Sequence, residues 1–108
     1  MSKVKIVTFV PTENADQVRN ALGSAGAGIL GEYTFCSYST VGKGRFTPSA
    51  NAHPHIGKPG KAEIVEEERI EVTCERQDAK AMISAMKTAH PYEEVGFDIY
   101  PLVDEKDL

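Results

Sequence analysis

Cysteine is scarce: the 108 residues contain only Cys36 and Cys74. Two thiols so far apart cannot build the disulfide framework of a small secreted domain, so a reduced, cytoplasmic protein is expected. Tryptophan is absent, and no apolar run approaches the roughly 20 residues of a membrane-spanning helix. The first ten residues have too short an apolar part for a secretory leader, and no small-residue cleavage site follows. Positive charge is also in deficit. Twelve Lys plus Arg stand against 16 Asp plus Glu, a formal charge of −4. A chain of that balance lacks the basic footprint that nucleic acid or an anionic bilayer requires, so neither is an expected partner. The sequence has no nucleophile elbow, no Ser-His-Asp order and no dinucleotide fingerprint, and no catalytic residue is assigned.

What is present is an ordinary globular balance, 41% hydrophobic and 26% charged. At this length it suits a single domain, 1–108, with a real but small core. Val4, Ile6, Thr8 and Val10 alternate with Lys5, Val7 and Phe9, which predicts a strand over 3–10. Pro11 ends it, Thr12 is the expected helix cap, and Ala15, Val18, Ala21, Leu22 and Ala25 predict a helix over 13–25. Gly26 and Gly28 stop that helix. Aromatic and β-branched residues predict a second strand over 30–41. Gly42, Gly44, Gly57 and Gly60 with Pro48, Pro54 and Pro59 predict a long loop over 42–60. A third strand follows over 61–75, with Ile70, Val72 and Cys74 on one face and Glu67, Arg69, Glu71 and Thr73 on the other. Met82, Ile83, Met86 and Ala89 mark a helix over 78–89 capped by Asp78. His90-Pro91 ends it, and Val95, Phe97 and Ile99 mark a fourth strand over 94–103. The order β-α-β-β-α-β predicts an α+β ferredoxin-like sandwich: one four-stranded antiparallel sheet with both helices on one face.

Four groups of residues carry potential chemistry. Gly42-Lys43-Gly44-Arg45, followed by Phe46, offers backbone N–H groups and two cations to an anion, although the glycine spacing is not that of a P-loop and the plainer reading is a flexible turn. His53 and His55, two residues apart, can share a divalent metal ion, the one cofactor the histidines suggest. Neither has a carboxylate or thiol at a matching short spacing, and polar loop histidines are the plainer reading. His90, Tyr92, Glu93 and Glu94 form a compact acid/base or metal-ligand set at a helix-to-strand corner. There a helix C-terminus favours charged histidine, and a structural role for His90 at the helix end competes with a chemical one. Cys36 and Cys74, on candidate neighbouring strands, read as small buried hydrophobes, and Glu66-Glu67-Glu68 reads as a solvated strand face.

Several motifs in order resemble one family over nearly the whole chain. They are Gly26-Ala27-Gly28-Ile29-Leu30-Gly31-Glu32-Tyr33, Cys36-Ser37-Tyr38, Gly42-Lys43-Gly44-Arg45-Phe46-Thr47-Pro48, Pro54-His55-Ile56-Gly57, Glu67-Glu68-Arg69-Ile70-Glu71, and His90-Pro91-Tyr92-Glu93-Glu94 with Asp98-Ile99-Tyr100-Pro101-Leu102. Together they are similar to the PII/CutA-like insert domain of the Nif-three-like (YqfO) dinuclear-metal proteins, here expected as a stand-alone domain. The resemblance implies a PII/CutA-type fold that trimerises by sheet packing. It also implies that the family's metal ligands lie in a flanking domain, so none is carried over to this chain.

The leading expectation is a non-catalytic homo-oligomer, a trimer in first place, that binds a small ligand or metal or regulates a protein partner. Its ligand site is expected where Gly42, Lys43, Gly44 and Phe46 of one subunit meet His90, Tyr92, Glu93 and Glu94 of the next. Tyr33, Phe35, Tyr38 and Phe46 supply the exposed aromatic area that self-association would cover. Two rivals use overlapping residues. One is a hydrolase-like enzyme with His90 as general base and Glu93 or Glu94 orienting it. The other is a CutA-like metal-homeostasis protein using His53, His55 and His90 with the cysteines.

Overall fold

The computed structural model describes residues 2–108. Six main elements follow the expected order: β1 Lys3–Pro11, α1 Ala15–Ser24, β2 Tyr38–Phe46, β3 Glu63–Glu75, α2 Ala79–Ala89 and β4 Phe97–Pro101. The sheet runs β2-β3-β1-β4 with every neighbouring pair antiparallel, the ferredoxin-like arrangement. Strand alternation explains the core. Val4, Ile6 and Val10 of β1 and Ile70, Val72 and Cys74 of β3 are buried in one cluster with Ala15, Val18 and Leu22 of α1 and Ala79, Met82 and Met86 of α2. Val95 and Phe97 pack against this cluster as expected, whereas Ile99, farther along the edge strand β4, is exposed.

The helix entries differ from expectation. A 3-10 turn, Thr12–Asn14 or Arg76–Asp78, precedes each helix, and neither helix receives a side-chain cap. The Thr12 hydroxyl points instead to Glu66 Oε1. The exit of α1 is as the glycine predicts. Gly26 takes φ 104°, and Ala27 N–H donates to Leu22 O while Gly26 N–H donates to Gly23 O, the pairing that ends a helix in a left-handed turn.

The second strand lies later in the chain than its aromatic content suggests. Residues 30–37 are not a strand: Leu30 and Tyr33 close a turn on each other, with Gly28, Gly31 and Phe35 all at positive φ. Phe35, the non-glycine residue among them, lays its ring on Gly23 of α1, where a Cβ would stand 2.0 Å from Cδ2. Pairing with β3 begins only at Tyr38 and continues through Phe46, so Gly42, Gly44 and Phe46 belong to a strand and not to a loop. The true connection covers 47–62 and is closed by Gly60 N–H donating to Pro48 O. Glycine in the middle of a strand marks a place where another group comes close, and composition alone does not distinguish that use from a turn.

Candidate functional site

Alternation along β3 puts Glu67, Arg69 and Glu71 on the face away from the helices. The register sets Glu67 opposite Gly42 of β2 and opposite Pro11 of β1. Because Gly44 has no side chain, the Glu67 carboxyl can lie across it: a Cβ at residue 44 would stand 1.9 Å from Glu67 Oε1. Glu67 is thereby only 8% exposed. Its Oε2 accepts the hydroxyl of Tyr92 at 2.6 Å. Tyr92 arrives from the corner after α2, and its ring meets Phe46 edge-on at 6.2 Å between centroids.

The corner is held from below by His90. Tyr92 N–H donates to His90 Nδ1 at 3.2 Å, so the ring proton sits on Nε2, which donates to Phe9 O at 2.7 Å. Burial lowers the pKa of His90 from its ordinary value. The Phe9 carbonyl and Glu67 pull the other way, and His55 adds to the lowering. Burial, followed by the hydrogen bond to Glu67, raises the Tyr92 phenol far above its usual range, so Tyr92 stays a donor. Thr8 Oγ1 donates to Gly96 O and fixes the far side of the same corner.

Over this floor opens a cleft of about 750 Å³, walled by β2, the connection around Pro48–Ile56 and the corner 92–96. Phe9, Phe46, Pro54, Ile56 and Tyr92 supply apolar surface, and Glu67, Arg69 and His55 supply polar groups. The volume is that of a small-molecule site, and apolar walls with few polar groups are the usual composition of one.

The structure gathers most of the expected ligand residues, and it does so within one chain. Gly42, Lys43, Gly44, Phe46, Tyr92, Glu93 and Glu94 all line the cleft, with no second subunit needed to bring them together. His90 does not line it. At 7% exposure, with both ring nitrogens engaged, it supports the corner and is free neither to cap the helix end nor to act as a general base. Lys43 and Arg45 pair with Glu66 and Ile64, so their Cβ atoms lie on the face opposite Glu67. Glu93 accepts His53 N–H at 2.7 Å and ties the connection to the corner. His53 and His55 are exposed, and among the described residues no three His, Cys, Asp or Glu side chains gather as metal ligands. Cys74 is buried as expected. Cys36 lies outside any strand and is only half-buried.

Glu67 is the residue the sequence reading missed, because a run of three glutamates looks solvated. Of the three only Glu66 is exposed, and Glu68 meets Arg19. Gly44, next to a strand with a charged face, was the available signal of a close approach.

No family model matches the chain. Among curated proteins it is 45% identical over 104 residues to the GTP cyclohydrolase 1 type 2 homolog of Halalkalibacterium halodurans, covering 96% of this chain and 28% of that protein. It is 49% identical over 98 residues to the protein of the same name in Bacillus subtilis, covering 91% and 26%. The chain thus spans about a quarter of the length of these relatives. Among solved structures, the Bacillus cereus protein related to NIF3 superposes with a TM-score of 0.84 at 45% identity, over 95% of this chain and 26% of that one. CutA from Archaeoglobus fulgidus, described as a periplasmic divalent cation tolerance protein, superposes with a TM-score of 0.69 at 17% identity, over 98% and 91%, and shares the fold.

Proposed function

The chain is homologous over nearly all its length to one segment of the NIF3-related proteins and has a PII/CutA-like fold, and from that premise we propose that it is a non-catalytic, ligand-binding regulatory domain. The observation that carries this reading is the buried Glu67–Tyr92 pair at the floor of the apolar cleft. Burying a carboxyl beside a phenol in a small domain is costly unless each finds a partner, and Gly44 leaves the room for the arrangement. Among the described residues no three His, Cys, Asp or Glu side chains gather there as a metal cluster. His90, beneath the cleft, is spent on backbone contacts, and His55 is the histidine that lines it.

We also propose that the domain works as a homo-oligomer, with a trimer favoured. Ile29, Leu30, Tyr33, Phe35 and Tyr38 are all more than half exposed along one stretch of chain, an apolar surface larger than single scattered residues would make.

A small-fragment screen followed by amide NMR tests the cleft. Hits are expected to shift, saturably, the amides of 42–46, 52–56 and 92–96. Shifts spread over α1 and α2, or no hit at the cleft at all, would overturn the assignment.

A further inference from the structure

Glu67 has no cation. Among the described residues no lysine, arginine or histidine nitrogen lies within 4.0 Å of its carboxyl. Three basic side chains are paired with other carboxylates. Lys5 and Arg69 both bind Glu71, and Arg19 binds Asp16 and Glu68. Lys43 and Arg45 start from the opposite face of β2. Tyr92 satisfies Oε2 alone, and no hydrogen-bond donor among the described residues reaches Oε1. Glu67 nonetheless lines the cleft, more than nine-tenths buried, among the aromatic residues Phe9, Phe46 and Tyr92.

A buried carboxyl without a counter-charge, set among aromatic rings, is complementary to a cation with flat faces. The carboxyl takes its N–H groups and the rings take its charge and its apolar body. A divalent metal is a poorer match, since it demands several oxygen or nitrogen ligands and among the described residues no three His, Cys, Asp or Glu side chains gather as a ligand set. We propose that the cleft binds an organic cation of the amidinium or guanidinium class, its N–H groups on Glu67 Oε1 and its body against Phe46 and Tyr92. The proposal rests on the reading of the cleft as a ligand site and adds the chemical class of the ligand.

Benzamidine and its neutral isostere benzamide are the probes, titrated into the full chain with amide NMR as the readout. Benzamidine is expected to shift Gly42, Gly44 and Tyr92 saturably, with benzamide about tenfold weaker, as the loss of one charge-assisted hydrogen bond implies. Glu67→Gln is expected to bring benzamidine down to the level of benzamide. Equal binding of the two probes, or full benzamidine binding by Glu67→Gln, overturns the cation. If indole shifts the same amides while benzamidine does not, the cation fails and the cleft stands as a ligand site. If indole also leaves them unmoved, both readings fail. Should Glu67→Gln not fold, the ratio of the two probes on the unmodified chain decides.

Discussion

Three side chains stacked in sequence hold the site: His90 supports Tyr92, and Tyr92 binds Glu67. The neutral imidazole is essential to this chain, because a proton on Nδ1 would face the Tyr92 N–H that now donates to it. Burial lowers the His90 pKa in the folded state, so between the ordinary value of 6.5 and the folded one the unfolded chain binds more protons. His90 therefore contributes stability that is complete above the ordinary value and declines as pH falls below it. We expect urea stability to drop between about pH 7.5 and about pH 5, and the drop to shrink in His90→Gln. An unchanged slope in His90→Gln would show that His90 is not its source.

Arg19 ties β2 and β3 to α1. Arg19 donates to Ser39 Oγ of β2 at 3.1 Å and forms ion pairs with Glu68 of β3 and with Asp16 one turn earlier in α1. The Glu68 side chain is 14% exposed, so removing its partner leaves a largely buried carboxyl unpaired. Arg19→Ala is expected to cost about 1–3 kcal/mol in urea unfolding, against about zero for Asp16→Ala, whose carboxyl is 91% exposed. Equal losses from the two substitutions would show that the Glu68 contact is not what anchors the helix. The glycines of β2 mislead because they sit in paired strand and not in a bend, and Gly44 leaves room for the Glu67 carboxyl that lies over it.

The whole molecule is elongated, 49 × 26 × 23 Å, because β2 and the first residues of β3 run past the end of β1. The connection 47–62 and the corner 92–96 fold over this extension on the helix-free face and turn a flat strand pair into a walled cleft. The exposed apolar stretch 29–38 lies outside that cleft, so the proposed ligand site and the proposed assembly surface do not overlap. Sedimentation equilibrium at micromolar concentration is expected to return three times the mass of one chain. A monomer throughout that range would remove the assembly while leaving the cleft, which one chain completes.

Periodicity alone was sufficient for the strands that bury one face and for both helices, because alternation in β1 and β3 and the Ala15–Leu22 and Met82–Met86 stripes follow directly from which side meets the core. The βαββαβ order and the ferredoxin-like sheet follow from the succession of those elements. The position of β2 did not, because its partner contacts lie on β3, up to 33 residues away in the Tyr38↔Glu71 pair, and its glycines resemble a turn. The role of Glu67 was equally hidden. Whether a glutamate is solvated depends on what the rest of the chain lays over it, and here that is Tyr92, 25 residues farther on. Local pattern therefore determined the scaffold, and only the long-range register and the folding back of 47–62 and 92–96 decided that the scaffold carries a buried carboxyl in an apolar cleft.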